Sequence, residues 1–142
     1  MKKILLVVLM AYSSTMFAAA PTEKVLSSFN KSFPEAKNVS WSEDESSYVV
    51  YFSKGMEQCR LWYSKDGDIL KSIRYYTKEL LNPFIQSRIE AKYAGLSIHD
   101  IVEVNSEEGI EYFITLEDDK KWYRVKSDAT GQLHLEKKLV KG

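Results

Sequence analysis

The chain reads as an α+β protein of two layers. It is a tandem repeat of one helix plus three to four antiparallel strands, with both helices on one face of a continuous sheet. Three observations predict this. Residues 48–52, Arg60 and Gly67 recur as residues 112–116, Arg124 and Gly131, each 64 positions further on. Apolar residues at helical spacing precede each strand set. Short runs rich in Tyr, Val, Ile and Phe are separated by polar turns carrying Gly or Asp.

The first helix begins after Thr22, whose hydroxyl can accept from a free backbone N–H. Val25, Leu26, Phe29 and Phe33 fall on one face, and Pro34 disfavours helix in the residue before it. Strands are expected over residues 47–53, 57–63 and 68–76, with a short leading strand over 39–41. Lys54-Gly55 turns the chain, and Asp66-Gly67 is a type I′ hairpin signal. The second unit opens with Asn82 as cap and Pro83 in the first turn. Ile85, Ile89 and Tyr93 share a face with Phe84 beside them, and Gly95 stops the helix. Strands follow near 98–104, 110–116, 120–126 and 132–140. The constant offset fails in the helices, where the second unit differs by about two residues. Residues 77–81 link the halves as an extra helical turn. One helix on one small sheet buries little, so residues 21–142 are expected to form a single structural domain of two repeats, 21–76 and 77–142.

The start of the chain reads as an export signal. Lys2 and Lys3 precede an apolar run over residues 4–10, and Ala18-Ala19-Ala20 offers small residues for cleavage. Residues 1–20 are therefore expected to be a cleaved signal peptide, which implies a periplasmic or secreted protein. No later run is apolar enough to serve as a transmembrane segment. Losing Lys2 and Lys3 leaves 18 basic and 20 acidic residues, a net charge of −2. Such a balance argues against a nucleic-acid partner, which needs a concentrated basic face. The single Cys59 excludes an internal disulfide. Its place in an apolar strand marks it as a small buried hydrophobe.

The pattern predicts no catalytic set, no cofactor and no metal site. His99 and His134 lack metal-ligand spacing with Cys or each other. There is no Gly-x-Ser-x-Gly turn and no phosphate-cradling loop. The acidic runs 43–45 and 117–119 lack the alternating oxygen ligands of a calcium loop and read as solvated turns.

Strand periodicity of two assigns faces. Tyr48, Val50 and Phe52, with Cys59, Leu61, Tyr63 and Ile69, belong to the helix-covered side. Their partners are Tyr112, Ile114, Leu116, Tyr123, Val125 and Leu133. The opposite rows carry Arg60 and Trp62 with Val49 and Tyr51, and Trp122 and Arg124 with Phe113 and Thr115. Aromatics and Arg dominate protein–protein hot spots, because they bury much area with few lost rotamers. Tyr51, Arg60, Trp62, Phe113, Trp122 and Arg124 are thus the candidate binding face.

These residues carry a family resemblance. A signal peptide and helix lead into Phe33-Pro34-x-Ala36-x-x-Val39-x-Trp41, followed by Tyr48-x-Val50-x-Phe52, Gly55, a Tyr-bearing strand and Asp66-Gly67. The chain resembles the β-lactamase-inhibitor-like, PepSY-like proteins exported by Bacteroidetes-type bacteria. The resemblance covers nearly all of residues 21–142. It implies a fold like that of β-lactamase inhibitor protein, a periplasmic or secreted setting and no established catalytic activity. The second unit departs from the pattern: it lacks Phe-Pro and carries Val104 and Asn105 where a Trp is expected. No inhibitory residue of the family maps onto this chain, and the disulfides of the known inhibitor are ruled out by the single Cys59.

The expectation is a non-catalytic exported binding module, an inhibitor or modulator of another exported protein through the open sheet face. The alternative is a binder of a glycan or other small envelope component, with aromatics stacking on it. A homodimer through the exposed sheet or its edges is also compatible with the pattern.

Overall fold

A computed structural model describes residues 20–142. The signal-peptide reading falls on residues 1–20, nearly all of it outside the described residues. The chain runs α1 (Glu23–Ser32), β1 (Lys37–Glu43), β2 (Ser47–Lys54), β3 (Glu57–Ser64) and β4 (Ile69–Tyr76). After a 3-10 turn (Lys78–Leu80) come α2 (Pro83–Lys92), β5 (Ser97–Ser106), β6 (Gly109–Glu117), β7 (Lys121–Asp128) and β8 (Leu133–Val140). The eight strands form one antiparallel sheet in sequence order.

Both helices start on the expected caps. Thr22 Oγ1 accepts from Val25 N at 3.4 Å, and Asn82 Oδ1 accepts from Phe84 N at 2.9 Å with Pro83 at the first turn. Each satisfies a backbone donor that a helix start leaves free. Phe33 N–H closes α1 on Phe29 O, and Tyr93 N–H closes α2 on Ile89 O, both at 2.8 Å. Thr22 and Asn82, Val25 and Ile85, Phe29 and Ile89, and Phe33 and Tyr93 are each 60 apart. The slip against the strand offset of 64 is therefore four residues, where about two was expected. It is absorbed in a longer second hairpin: β5 and β6 have 10 and 9 residues against 7 and 8 in β1 and β2. The position 60 beyond Trp41 is Ile101, which is buried. The Trp expected near Val104 and Asn105 was sought in the wrong register.

Two apolar clusters hold the layers together. Val25 and Phe29 of α1 pack with Tyr48, Val50, Phe52, Cys59, Leu61 and Tyr63. Phe29 is the hub, with ring centroids 5.1–6.5 Å from Phe33, Trp41, Phe52 and Tyr63. Ile85 and Ile89 of α2 pack with Ile101, Tyr112, Ile114, Leu116, Val125 and Leu133. Between the clusters the ladder passes through charge: Cys59 pairs with Arg74, Arg74 with Glu103, and Glu103 with Tyr112. Arg74 Nε meets Glu57 Oε2 at 2.6 Å and its Nη1 meets Glu103 Oε1 at 3.1 Å. The hydrogen bond that Arg74 donates to Glu57 leads in raising the Arg74 pKa. Tyr76 donates its hydroxyl to Glu103, and burial, then this bond, pushes the phenol up.

Three expectations need correction. Ile69 is 48% exposed, although its register opposite Tyr63 puts it on the core side. A bulge at Leu70 and the adjacent turn leave it at the end of the layer, beyond the reach of α1. Val49 is 3% exposed, although it points away from α1, because it lies opposite Trp62 in the ladder. The Asp66-Gly67 turn is not type I′. Gly67 has φ +94 while Asp66 is not left-handed, and Ser64 N–H bonds Asp68 O across a three-residue loop. One left-handed glycine after a type I turn gives that loop.

The outer strands are both irregular. On β1 the register shifts between Lys37 and Ser40, with Asn38 at φ 54. On β8 it shifts where Arg124 and Val125 meet Lys137 and Leu135, leaving Glu136 unopposed.

Candidate functional site: the open face of the sheet

In an antiparallel ladder, directly paired residues point to the same side. One transverse row runs Gln58–Tyr75–Val102–Phe113–Lys126–His134, and a second runs Tyr51–Arg60–Ile73–Val104–Glu111. Both alternate with the rows that meet the helices.

The sequence-predicted residues separate into two groups on this side. Tyr51, Arg60 and Trp62 form one stack. The Arg60 guanidinium carbon lies 4.8 Å from the Tyr51 ring centroid and 4.5 Å from that of Trp62. Lys71, paired with Trp62 in the ladder, continues the stack with its Nζ 5.2 Å from the Trp62 ring centroid. Sandwiching desolvates the guanidinium, and Arg60 Nε is buried with no hydrogen-bond partner among the described residues. Cation–π attraction of about 0.5–2 kcal/mol per contact offsets part of that cost.

Trp122 and Arg124 form the second group, around a pocket of about 250 Å³ lined by His99, Thr115, Trp122, Tyr123, Arg124 and Leu139. His99 meets Trp122 edge-on at 4.8 Å, and Lys141 Nζ lies 4.3 Å from its ring centroid. Glu117 ties both together, 3.3 Å from His99 Nδ1 and 2.6 Å from Lys141 Nζ. The hydrogen bond from Lys141 leads in holding the Glu117 carboxyl below its usual range. Phe113 belongs to neither group; it is half-buried, with Lys126 Nζ 5.5 Å from its ring. The two groups do not touch. Arg60 is on β3 and Arg124 on β7, four strand spacings or about 19 Å apart across the sheet.

The centre of the face went unpredicted. Ile73 and Tyr75 of β4 and Val102 and Val104 of β5 fill it, with Tyr75 45% exposed. Over residues 72–75 and 102–105 the polarity is inverted: Ser72, Arg74, Glu103 and Asn105 share the rows of the two core clusters, and the alternate rows carry Ile73, Tyr75, Val102 and Val104. The alternation Ile73-Arg74-Tyr75 and Val102-Glu103-Val104 is the signal that marks them. Among the described residues no group of three or more His, Cys, Asp or Glu is placed to hold a metal ion, and no helix is long and apolar enough to cross a membrane.

An antiparallel eight-stranded sheet with two helices of this arrangement defines a known fold. Solved structures from Bacteroides share it. A BLIP-like protein of Bacteroides fragilis superposes with a TM-score of 0.63 at 19% identity, covering 87% of this chain and 90% of its own. A candidate periplasmic protein of Bacteroides eggerthii gives 0.59 at 16% identity, with 86% and 90% covered. A DUF2874 family protein of Bacteroides ovatus gives 0.59 at 20% identity, with 86% and 89% covered. No protein-family model matches the chain, and no curated protein does. At these identities the likeness establishes a BLIP-like fold.

Proposed function

We propose that this chain is a non-catalytic, exported binding module of the β-lactamase-inhibitor-like, PepSY-like kind. It holds another exported protein on the open face of its sheet and acts as that partner's inhibitor or modulator. One observation carries the reading: the side of the sheet turned away from both helix clusters has an apolar centre (Ile73, Tyr75, Val102, Val104, Phe113) between two aromatic–cation groups. Eight strands about 4.8 Å apart and about 24 Å long present roughly 800 Å². That matches one partner's share of a standard protein interface and far exceeds a small ligand. The six sequence-predicted residues of this face, Tyr51, Arg60, Trp62, Phe113, Trp122 and Arg124, are aromatics and arginines, which recognise and bury rather than shuttle protons near neutral pH.

The architecture behind this face is a tandem duplication, 21–76 and 77–142, with both helices on the other side. Supporting it are the shared caps and the matched buried pairs. The ladder line Phe52–Cys59–Arg74–Glu103–Tyr112–Ser127 also joins the α1 cluster to the α2 cluster on one side. Cleavage of residues 1–20 and a periplasmic or secreted location accord with the start of the sequence and with the Bacteroides eggerthii neighbour. The BLIP-like description of the Bacteroides fragilis protein supports an inhibitory role.

The test is affinity capture from native envelope extract with residues 21–142 as bait and the Trp62→Ala/Trp122→Ala form as control. One protein held by the first and lost from the folded control is the expected result. Equal capture by both forms removes the face from the interaction. A second reading, a glycan binder, is favoured by the Trp122 pocket alone; a rise in melting temperature with one member of a glycan panel would support it.

A further inference from the structure

We infer that the pocket beside Trp122 is a carboxylate-binding subsite that takes an acidic residue of a polypeptide partner. This rests on the reading of the open face as a protein-docking surface, and it supplies the chemistry of one contact. Arg124 sits directly opposite Lys137 in the ladder, and both are exposed. Like charges in that position, with Cβ atoms about 5 Å apart, repel. The neighbouring cations are already neutralised. Lys126 holds Glu111 at 2.9 Å, and Lys141 holds Glu117 at 2.6 Å. Among the described residues neither Arg124 nor Lys137 has an ion pair. Of the other carboxylates near this corner, Asp100 lies 3.9 Å from His99, Asp118 accepts from the Tyr123 hydroxyl at 2.8 Å, and Glu136 sits at the bulge beside Lys137 without an ion pair to it. Two unneutralised cations thus share one corner of a chain whose described residues are acidic on balance.

The rest of the pocket narrows the ligand. Trp122, Leu139 and the His99 ring are apolar walls, and Thr115, paired with Arg124, offers a hydroxyl at the rim. Its volume of about 250 Å³ lies below the usual range for a whole small molecule, about 300–1,000 Å³, and suits a side chain or two. A carboxylate between the Arg124 fork and the Lys137 ammonium removes the repulsion, and its apolar neighbour covers Trp122. The carboxylate can come from a Glu or Asp side chain or from a chain terminus.

The experiment follows the indole N–H resonances of Trp62 and Trp122 in the 21–142 chain. Probes are Ac-Gly-Phe-Glu-Phe-Gly-NH2, its Gln analogue, Ac-Gly-Phe as free acid and as amide, and glucuronate. The expected result is a saturable shift at Trp122 and not Trp62, with the Glu peptide or the free acid binding about tenfold more tightly than its uncharged analogue. That preference should fall with added salt and vanish in Arg124→Gln/Lys137→Gln, whose exposed positions leave folding intact. Which charged peptide binds identifies the source. Equal binding of charged and uncharged peptides, no shift at all, or a preference surviving in the variant overturns the inference; glucuronate binding without peptide preference does so in favour of an acidic glycan. The two readings fail separately. A partner lost by Trp62→Ala/Trp122→Ala but kept by Arg124→Gln/Lys137→Gln removes the subsite and keeps the face.

Discussion

Replacing Arg74 with Met should cost far more than an exposed cation would. The Arg74 side chain is 34% exposed, while those of Glu57 and Glu103, whose carboxylates it joins, are each 13% exposed. Methionine keeps an apolar stem beside the Tyr76 ring, which the guanidinium now covers at 5.0 Å. The loss is therefore mainly electrostatic. Removing one partner of a fully buried ion pair costs about 3–5 kcal/mol, because the remaining charge is stranded. Here a cavity of about 450 Å³ lined by Glu57, Arg74 and Asn105 admits water, so the cost scales down to about 2–3 kcal/mol. For a domain of this size that lowers Tm by roughly 8–12 °C. Urea unfolding followed by circular dichroism measures it directly. The reasoning also requires rescue: Arg74→Met/Glu57→Gln/Glu103→Gln strands no charge and should recover most of the loss. A single variant as stable as the parent, or a triple variant no better than the single, would refute the account of the central seam.

Two further outcomes follow from buried groups. Tyr63 is fully buried, its hydroxyl has no hydrogen-bond partner among the described residues, and burial pushes its pKa up to about 12. Tyr63→Phe should stabilise the protein by about 1 kcal/mol in the same unfolding assay; a loss of more than that would mean the hydroxyl is satisfied. Burial, reinforced by Glu57, raises the Cys59 thiol from 9.0 to about 11. The native thiol should resist aromatic disulfide reagents at pH 8 and react at once in denaturant. The folded chain keeps a proton that the unfolded chain loses, so stability should be intact below pH 9 and decline between about pH 9 and pH 11. Cys59→Ala should remove that part of the decline.

Much of the fold was legible because local chemistry and tertiary packing agree. Thr22 and Asn82 cap where their side chains predict, and Val25, Phe29, Ile85 and Ile89 bury as their spacing requires. The Tyr51–Arg60–Trp62 row follows from strand parity alone. What escaped depended on partners distant in sequence. Ile73 and Val104 acquire a shared face only when β4 pairs with β5, and Arg74 acquires its structural role only through Glu57 and Glu103. Lys137 and Lys141 reach the Trp122 corner through a register altered at Glu136, which no repeat offset foretells. Ile69 shows the converse: its apolar character promised burial, but the layer ends before reaching it.

The irregular outer strands have a consequence for self-assembly. A row of free backbone donors and acceptors is a template on which a second chain can crystallise, copy after copy, into a fibril. Here the displaced residues at Asn38 and Glu136 break the even spacing that such copying needs, and Lys37, Lys137 and Lys138 charge the two borders. Both features disfavour growth by strand addition at the two edges. Contact through side chains on the broad surface is a separate matter, because its strength can be changed one substitution at a time without disturbing the ladder.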